Sequence, residues 1–370
     1  MLRRRGVDVV VIDRADAVAA SWRGHYDRLH LHTVRWLSNL PGMRFSRSHG
    51  RWVHRDGVVD YLERYAQHHA LDLMLNTDVQ GLARDVDGDG EGWVLETSGG
   101  VVEARSVVVA TGYNNTPFIP DYPGRESFKG SLLHASRYRN AEPYRDRDVL
   151  VVGSGNTGAE IAVDLVEGGA RRVRLAVRTP PNIVRRQVGG TPNQVLAVGL
   201  RRLPPRFVDA VVRVAQRVTI GDLSRFGLPP PERGVYTRVI EDDVIPIIDV
   251  GLIALVKSGK VEIVGALLGF DGDDVVLSGH ERVQPEVVII ATGYRRGLEP
   301  LVGPLGVIDS RGKPVVHGAR THPSAPGLYF TGYTNPISGM FRELGIDARR
   351  IAREVARSER HRRGEAARAA

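Results

Sequence analysis

The chain has 370 residues, enough to bury a large core and to hold two domains. It contains no cysteine, which excludes disulfides, thiolate metal sites, iron–sulfur clusters and any dithiol redox centre. The net charge of +8 does not mark a nucleic-acid binder, because the cations are almost all arginines, spread along the chain and interleaved with acids.

Met1-Leu-Arg-Arg-Arg5 is basic, but the apolar run behind it is too short for a signal peptide. No later run reaches transmembrane length, so a cytoplasmic location is expected. Val7-Asp-Val-Val-Val-Ile-Asp13 reads as a short strand ending in an acid. It resembles the second strand of a dinucleotide fold, with Asp13 on the adenosine ribose. The matching glycine loop belongs roughly 20 residues earlier, and counting back from Asp13 runs off residue 1. The first strand, its phosphate loop and most of the first helix are thus expected to be missing, and this site to bind its nucleotide poorly. A misplaced start codon would give the same sequence.

Residues 21–33 form an irregular polar-aromatic segment. Residues 56–69 read as a helix, with Val59, Leu62, Tyr65 and Ala66 on one face. A small meander follows over 79–83, 93–97 and 101–104. Its acidic turn, 87–92, lacks the spacing and terminal glutamate of a calcium loop, so no metal is expected. A buried strand then ends in Ala110-Thr111-Gly112, before a proline-punctuated linker over 117–123.

Asp148-Val-Leu-Val-Val-Gly153-Ser154-Gly155-Asn156-Thr157-Gly158 is the most informative stretch. A buried strand runs into Gly-x-Gly-x-x-Gly and a helix over 159–167. One glycine makes the tight turn, one admits a pyrophosphate to the backbone, and one lets helix and strand pack closely. The helix N-terminus offers free N–H groups to the phosphates. A second strand, 172–177, ends on Arg178. An acid there would select NAD; an arginine suits a 2′-phosphate, so NADP is expected.

Residues 204–219 form a basic amphipathic helix whose apolar side is expected to pack into the core rather than on a membrane surface. Strands over 261–268 and 274–277 precede Glu286-Val-Val-Ile-Ile-Ala-Thr292-Gly293-Tyr294, an echo of the earlier Ala-Thr-Gly. The chain returns with Gly327-Leu-Tyr-Phe-Thr-Gly-Tyr333 and a helix over 346–357. The echo implies an α/β protein of two doubly wound, Rossmann-like dinucleotide-binding domains, one inserted into the other. The expected division is 1–116 and 297–356 for the first domain, 117–296 for the inserted NADP domain, and a disordered tail over 357–370. Two nucleotide sites without a dithiol point to hydride transfer from NADPH to a flavin, FAD.

Phe128-Lys-Gly130-Ser-Leu-Leu-His134-Ala-Ser-Arg-Tyr138 matches F-x-G-x-x-x-H-x-x-x-(Y/F), the identifying motif of flavin-containing monooxygenases. Tyr26-Asp-Arg-Leu-His-Leu-His32 and Ile245-Pro-Ile-Ile-Asp249-Val-Gly251 are most similar to the YUCCA-like branch and its bacterial relatives. The resemblance covers nearly the whole chain. It implies that Asp13 holds the FAD ribose and that Trp22 lies near the flavin, in a turn whose usual glycines are Ala19 and Ala20. His32 falls where many members carry an asparagine that protects the flavin's peroxide adduct, and is the candidate catalytic residue. Ala110, Thr111 and Gly112 would approach FAD. Gly153 to Gly158 and Arg178 would hold NADP, with Thr292, Gly293 and Tyr294 facing it; Asp249 is structural. The implied reaction reduces FAD with NADPH and passes one oxygen atom of O2 to a small organic substrate, a soft nucleophile or a 2-oxo acid. The rivals are an uncoupled NADPH oxidase and an NADP-binding protein with a dead flavin site. A homodimer is left open.

Overall fold

The computed structural model describes residues 1–85, 92–200 and 202–369, so most of the acidic turn read from the sequence over 87–92 lies outside the described residues. The first unit opens with β1 (Val10–Ile12) and α1 (Ala20–Arg23), followed by α2 (Arg55–His68) and β2 (Asp72–Met74). The meander is β3 (Val79–Arg84), β4 (Trp93–Thr97) and β5 (Gly100–Ala104), antiparallel throughout. Strand β6 (Val107–Val109) then leads to β7 (Thr116–Pro117) in the linker.

The second unit is built on β8 (Ser131–His134), β9 (Asp148–Val152), α3 (Asn156–Glu167) and β10 (Arg172–Ala176). An excursion follows: β11 (Ile183–Arg185), β12 (Gln187–Val188), β13 (Thr191–Pro192), α4 (Asn193–Leu200), α5 (Pro205–Thr219), α6 (Val235–Asp242) and β14 (Ile247–Asp249). Then come α7 (Leu252–Lys257), β15 (Val261–Val264), β16 (Leu267–Asp271), β17 (Asp274–Leu277), β18 (Arg282–Val283) and β19 (Val287–Ile290). Five of these strands make one parallel sheet in the order β15-β10-β9-β19-β8. Its apolar runs are buried on both faces, as a covered parallel sheet requires. Val149, Val151, Val173 and Ile289 meet the helical side, with Ile161 and Leu165 of α3. Leu150, Val152, Val288 and Ile290 meet the side carrying Phe270, Val275 and Leu277.

The chain leaves through β20 (Tyr294–Arg295), which pairs antiparallel with β7, so the two linkers run side by side. After α8 (Glu299–Val302), β21 (Leu328–Phe330) pairs parallel with β6. Segments from before and after the five-stranded sheet thus share one layer, and the α/β architecture is that of two nested Rossmann-like units. Among the described residues β1 pairs only with β2, and β21 only with β6, so the first unit carries two parallel pairs.

Two expectations need correction. Helix α9 runs Met340–Ala369, where a helix over 346–357 and a disordered tail were expected. The Ala/Arg/Glu tail is rich in strong helix formers, and Glu354–Arg357 and Glu359–Arg362 pair at helical spacing. The apolar side of α5 does not pack wholly inward either. Val208 is buried, but Phe207, Val211, Val214 and Val218 are exposed.

Candidate active site

The glycine turn has the geometry its residue types require. β9 enters Gly153 at φ +117°, where an added Cβ would lie 2.5 Å from the Ala291 carbonyl oxygen. A Cβ on Gly158 would lie 2.0 Å from the Gly153 carbonyl oxygen, so helix and turn touch backbone to backbone. Around Gly155 the space is open, with nothing within 4 Å of its virtual Cβ. Gly155 is the N-cap of α3 and offers no side-chain cap, leaving the first-turn amides for a ligand. The turn lies past the C-terminal end of β9, beside β19, where strand order reverses; that crevice is where doubly wound sheets bind ligands. Arg178, exposed just past β10, forms no ion pair or hydrogen bond among the described residues.

The Asn156 side chain is engaged within the protein. Its Nδ2 donates to the Pro246 carbonyl at 3.0 Å, and its Oδ1 accepts from the Ile248 amide at 2.7 Å. Its side chain therefore clamps the turn to β14. Asp249 is structural, as expected. It accepts from the Gly251 and Ile253 amides and pairs with Arg185 at 2.8 Å.

The motif ending at Tyr138 braces this unit. Gly130 admits no Cβ, which would meet the Glu286 carbonyl oxygen at 2.8 Å and the Phe128 ring. His134 Nε2 donates to the Gly293 carbonyl at 3.0 Å, and its Nδ1 accepts from the Ser136 amide. Burial lowers the His134 pKa, favouring the neutral ring that these two bonds require. Tyr138 donates to Asp164 at 2.6 Å, and burial, reinforced by that carboxylate, pushes its pKa up. Thr292 donates to the Phe118 carbonyl, so Thr292 and Gly293 hold the linker, while Tyr294 stands edge-on to His134.

A cavity of 2410 Å³ joins the two units. It collects Asp13, Trp22, His32, Ala110, Thr111, Gly112, Asn156, Thr157 and Tyr294 from the expected site residues. Gly153, Ser154, Gly155, Gly158, Arg178, Thr292 and Gly293 lie outside its lining. Asp13 accepts from the Ala15 amide and is exposed. Thr111 shares a 2.7 Å hydrogen bond with Tyr333. Trp22 packs against Phe341, in a turn where Ala19 holds φ +62°. That left-handed conformation costs an alanine about 1–2 kcal/mol, which a glycine would not incur.

Two residues went unrecognised in the sequence. Glu160, on the second turn of α3, is 3% exposed, and its Oε1 lies 2.8 Å from His32 Nε2. Neither that oxygen nor His32 Nδ1 has an aligned hydrogen-bond partner. Tyr26 bonds to the same carboxylate, and burial and the acid together hold its pKa well above normal. The signal was an acid inside an apolar helical run, Gly158-Ala-Glu160-Ile-Ala-Val163. Arg186, from the loop between β11 and β12, lines the cavity. Its guanidinium sits 4.1 Å over the Trp52 ring, Nη2 donates to the Leu31 carbonyl, and Nε is buried without a partner. Burial pulls its pKa down to about 10, partly offset by the Glu160 carboxylate, which acts on it from beyond ion-pair distance. An anionic ligand in the cavity would give it the direct ion-pair contact that Glu160 does not make.

Residues 1–188 match the family model described as pyridine nucleotide-disulphide oxidoreductase. The chain is 33% identical over 337 residues to indole-3-pyruvate monooxygenase YUCCA1 of Oryza sativa subsp. japonica, covering 90% of this chain and 82% of that protein. It superposes on the flavin-containing monooxygenase from Stenotrophomonas maltophilia with a TM-score of 0.69 at 23% identity, covering 96% of this chain and 92% of the other. OTEMO, solved in complex with FAD and NADP, gives 0.73 at 16% identity over 99% of this chain and 83% of its own. These two likenesses confirm the fold.

Proposed function

The chain belongs to the flavin-containing monooxygenase family, and from that membership we propose that it oxygenates a 2-oxo acid using FAD and NADPH. The net reaction is 2-oxo acid + O2 + NADPH + H⁺ → carboxylic acid with one carbon fewer + CO2 + H2O + NADP⁺. One atom of O2 enters the acid and the other leaves in water. The absence of cysteine removes disulfide exchange, which the matching family model's description names, as an alternative.

The second unit offers a full seat for NADP, whereas the first unit, with two parallel strand pairs and no Gly-x-Gly-x-x-Gly turn beside β1 among the described residues, offers FAD a smaller set of contacts. Asp13 would take the FAD ribose, with Trp22 and Ala110 to Gly112 beside the flavin, in the unit formed by 1–116 and 297–356. The open backbone at Gly155 and the uncapped α3 N-terminus would seat the NADP pyrophosphate in the unit spanning 117–296, with Arg178 on its 2′-phosphate. Bound FAD supplies the oxygen-activating chemistry, which side chains do not provide. What the chain's own residues contribute is placement and exclusion of water. His32 stands between α3 and the cavity, held against the buried Glu160, and is the group we assign to the flavin.

The observation that carries the substrate class is Arg186, a half-buried cation in the cavity wall with no ion-pair partner among the described residues. A substrate carboxylate would complete it, and the matched rice enzyme is named for a 2-oxo acid. A charge-assisted hydrogen bond contributes about 1.5–3 kcal/mol. Arg186→Ala should therefore raise the KM for an aryl 2-oxo acid about 10- to 100-fold, with the KM for NADPH unchanged. A rise confined to the NADPH KM would assign Arg186 to the cofactor instead.

A further inference from the structure

Helix α5 shows three faces. Val208 and Asp209 are buried, and the half-buried Val212, Gln216 and Thr219 line the cavity. Phe207, Val211, Val214 and Val218 form a second apolar stripe at i, i+4, i+7 and i+11, and are 57%, 46%, 60% and 80% exposed, with Val211 also reaching the cavity rim. This spacing keeps them on one outward side of the helix. Arg206, Arg213 and Arg217, all exposed, run along one border of that stripe.

No acid balances those arginines on the helix surface. Asp209, the one carboxylate of α5, is buried and accepts from the Tyr236 and Thr237 amides and the Thr237 hydroxyl. A contiguous apolar stripe with a cationic border, left open to water, marks an interaction surface. No helix among the described residues is long and apolar enough to cross a membrane.

We propose that α5 lies flat on an anionic lipid surface, with Phe207, Val214 and Val218 in the acyl boundary and Arg206, Arg213 and Arg217 among the headgroups. Charge complementarity favours this occupant over a second copy of the chain. Packing two such stripes together would bring two arginine rows close with no carboxylate between them, whereas an anionic bilayer attracts the whole row.

The test is co-sedimentation of the full chain with phosphatidylcholine vesicles, with and without phosphatidylglycerol, paired with size-exclusion chromatography. The protein should partition into the anionic vesicles at least about 10-fold more strongly than into the neutral ones. Replacing Arg206, Arg213 and Arg217 by Gln together should lower that partition about 100-fold. Phe207→Ser with Val214→Ser and Val218→Ser should release the protein to the supernatant, with its melting temperature unchanged because these side chains are exposed. The proposal is overturned if the wild type ignores anionic vesicles, or if both variants bind them as well as the wild type. It is equally overturned if the serine variant converts a dimer to a monomer without changing lipid binding, which would make the stripe an interface between copies.

Discussion

Gly155→Ala is expected to weaken NADPH binding sharply while leaving the melting temperature nearly unchanged, and Gly158→Ala to damage both. The two glycines sit three residues apart and do different work. At Gly155 the backbone is extended, with φ −85° and ψ 179°, which any residue adopts. Nothing lies within 4 Å of its virtual Cβ, so a methyl group meets no protein atom. It would project into the space a pyrophosphate uses to approach the amides of α3. At Gly158 the same methyl group would lie 2.0 Å from a backbone carbonyl. The helix must then move off the turn, at an overpacking cost of about 1–3 kcal/mol. Paired thermal melts and NADPH titrations separate the two. Equal destabilisation of both variants would mean that Gly155 is there for packing and not for a ligand.

Arg178→Ala should raise the KM for NADPH about 10- to 100-fold and leave the KM for NADH unchanged. Arg178 is exposed past the end of β10 and makes no protein ion pair or hydrogen bond among the described residues. Its removal therefore leaves no buried partner unsatisfied, and stability should hold. The magnitude is that of one or two charge-assisted hydrogen bonds to a phosphate. Steady-state kinetics with both nucleotides reads the effect. A matching loss with NADH would place the residue on the shared pyrophosphate rather than on the 2′-phosphate.

The glycine turn was legible in the sequence because its determinants are local. Strand, turn and helix fall within about 20 residues, and each glycine answers to contacts inside that span. The repeated Ala-Thr-Gly likewise announced two nucleotide units. Side-chain partnerships between distant segments were not legible. Nothing in the motif showed that the Asn156 side-chain amide holds Pro246 and Ile248. His32 was a candidate from resemblance, yet nothing near it in sequence revealed Glu160 on the far side of the contact. Periodicity gives which face of α3 turns inward, not which segment it meets. In α5 the apolar residues cover so wide an arc that the pattern could not show one part lining the cavity and another facing water. In the C-terminal tail, charge suggested disorder, but helix propensity and short-range ion pairs prevail through Ala369.

The most direct measurement is isotope-labelled oxygen incorporation during turnover of the FAD-supplemented protein with NADPH and an aryl 2-oxo acid. One labelled oxygen atom in the acid product, with CO2 released in step with NADPH oxidation, is the expected result. NADPH oxidation that yields only hydrogen peroxide, with no labelled acid, would contradict it and leave an oxidase in place of a monooxygenase.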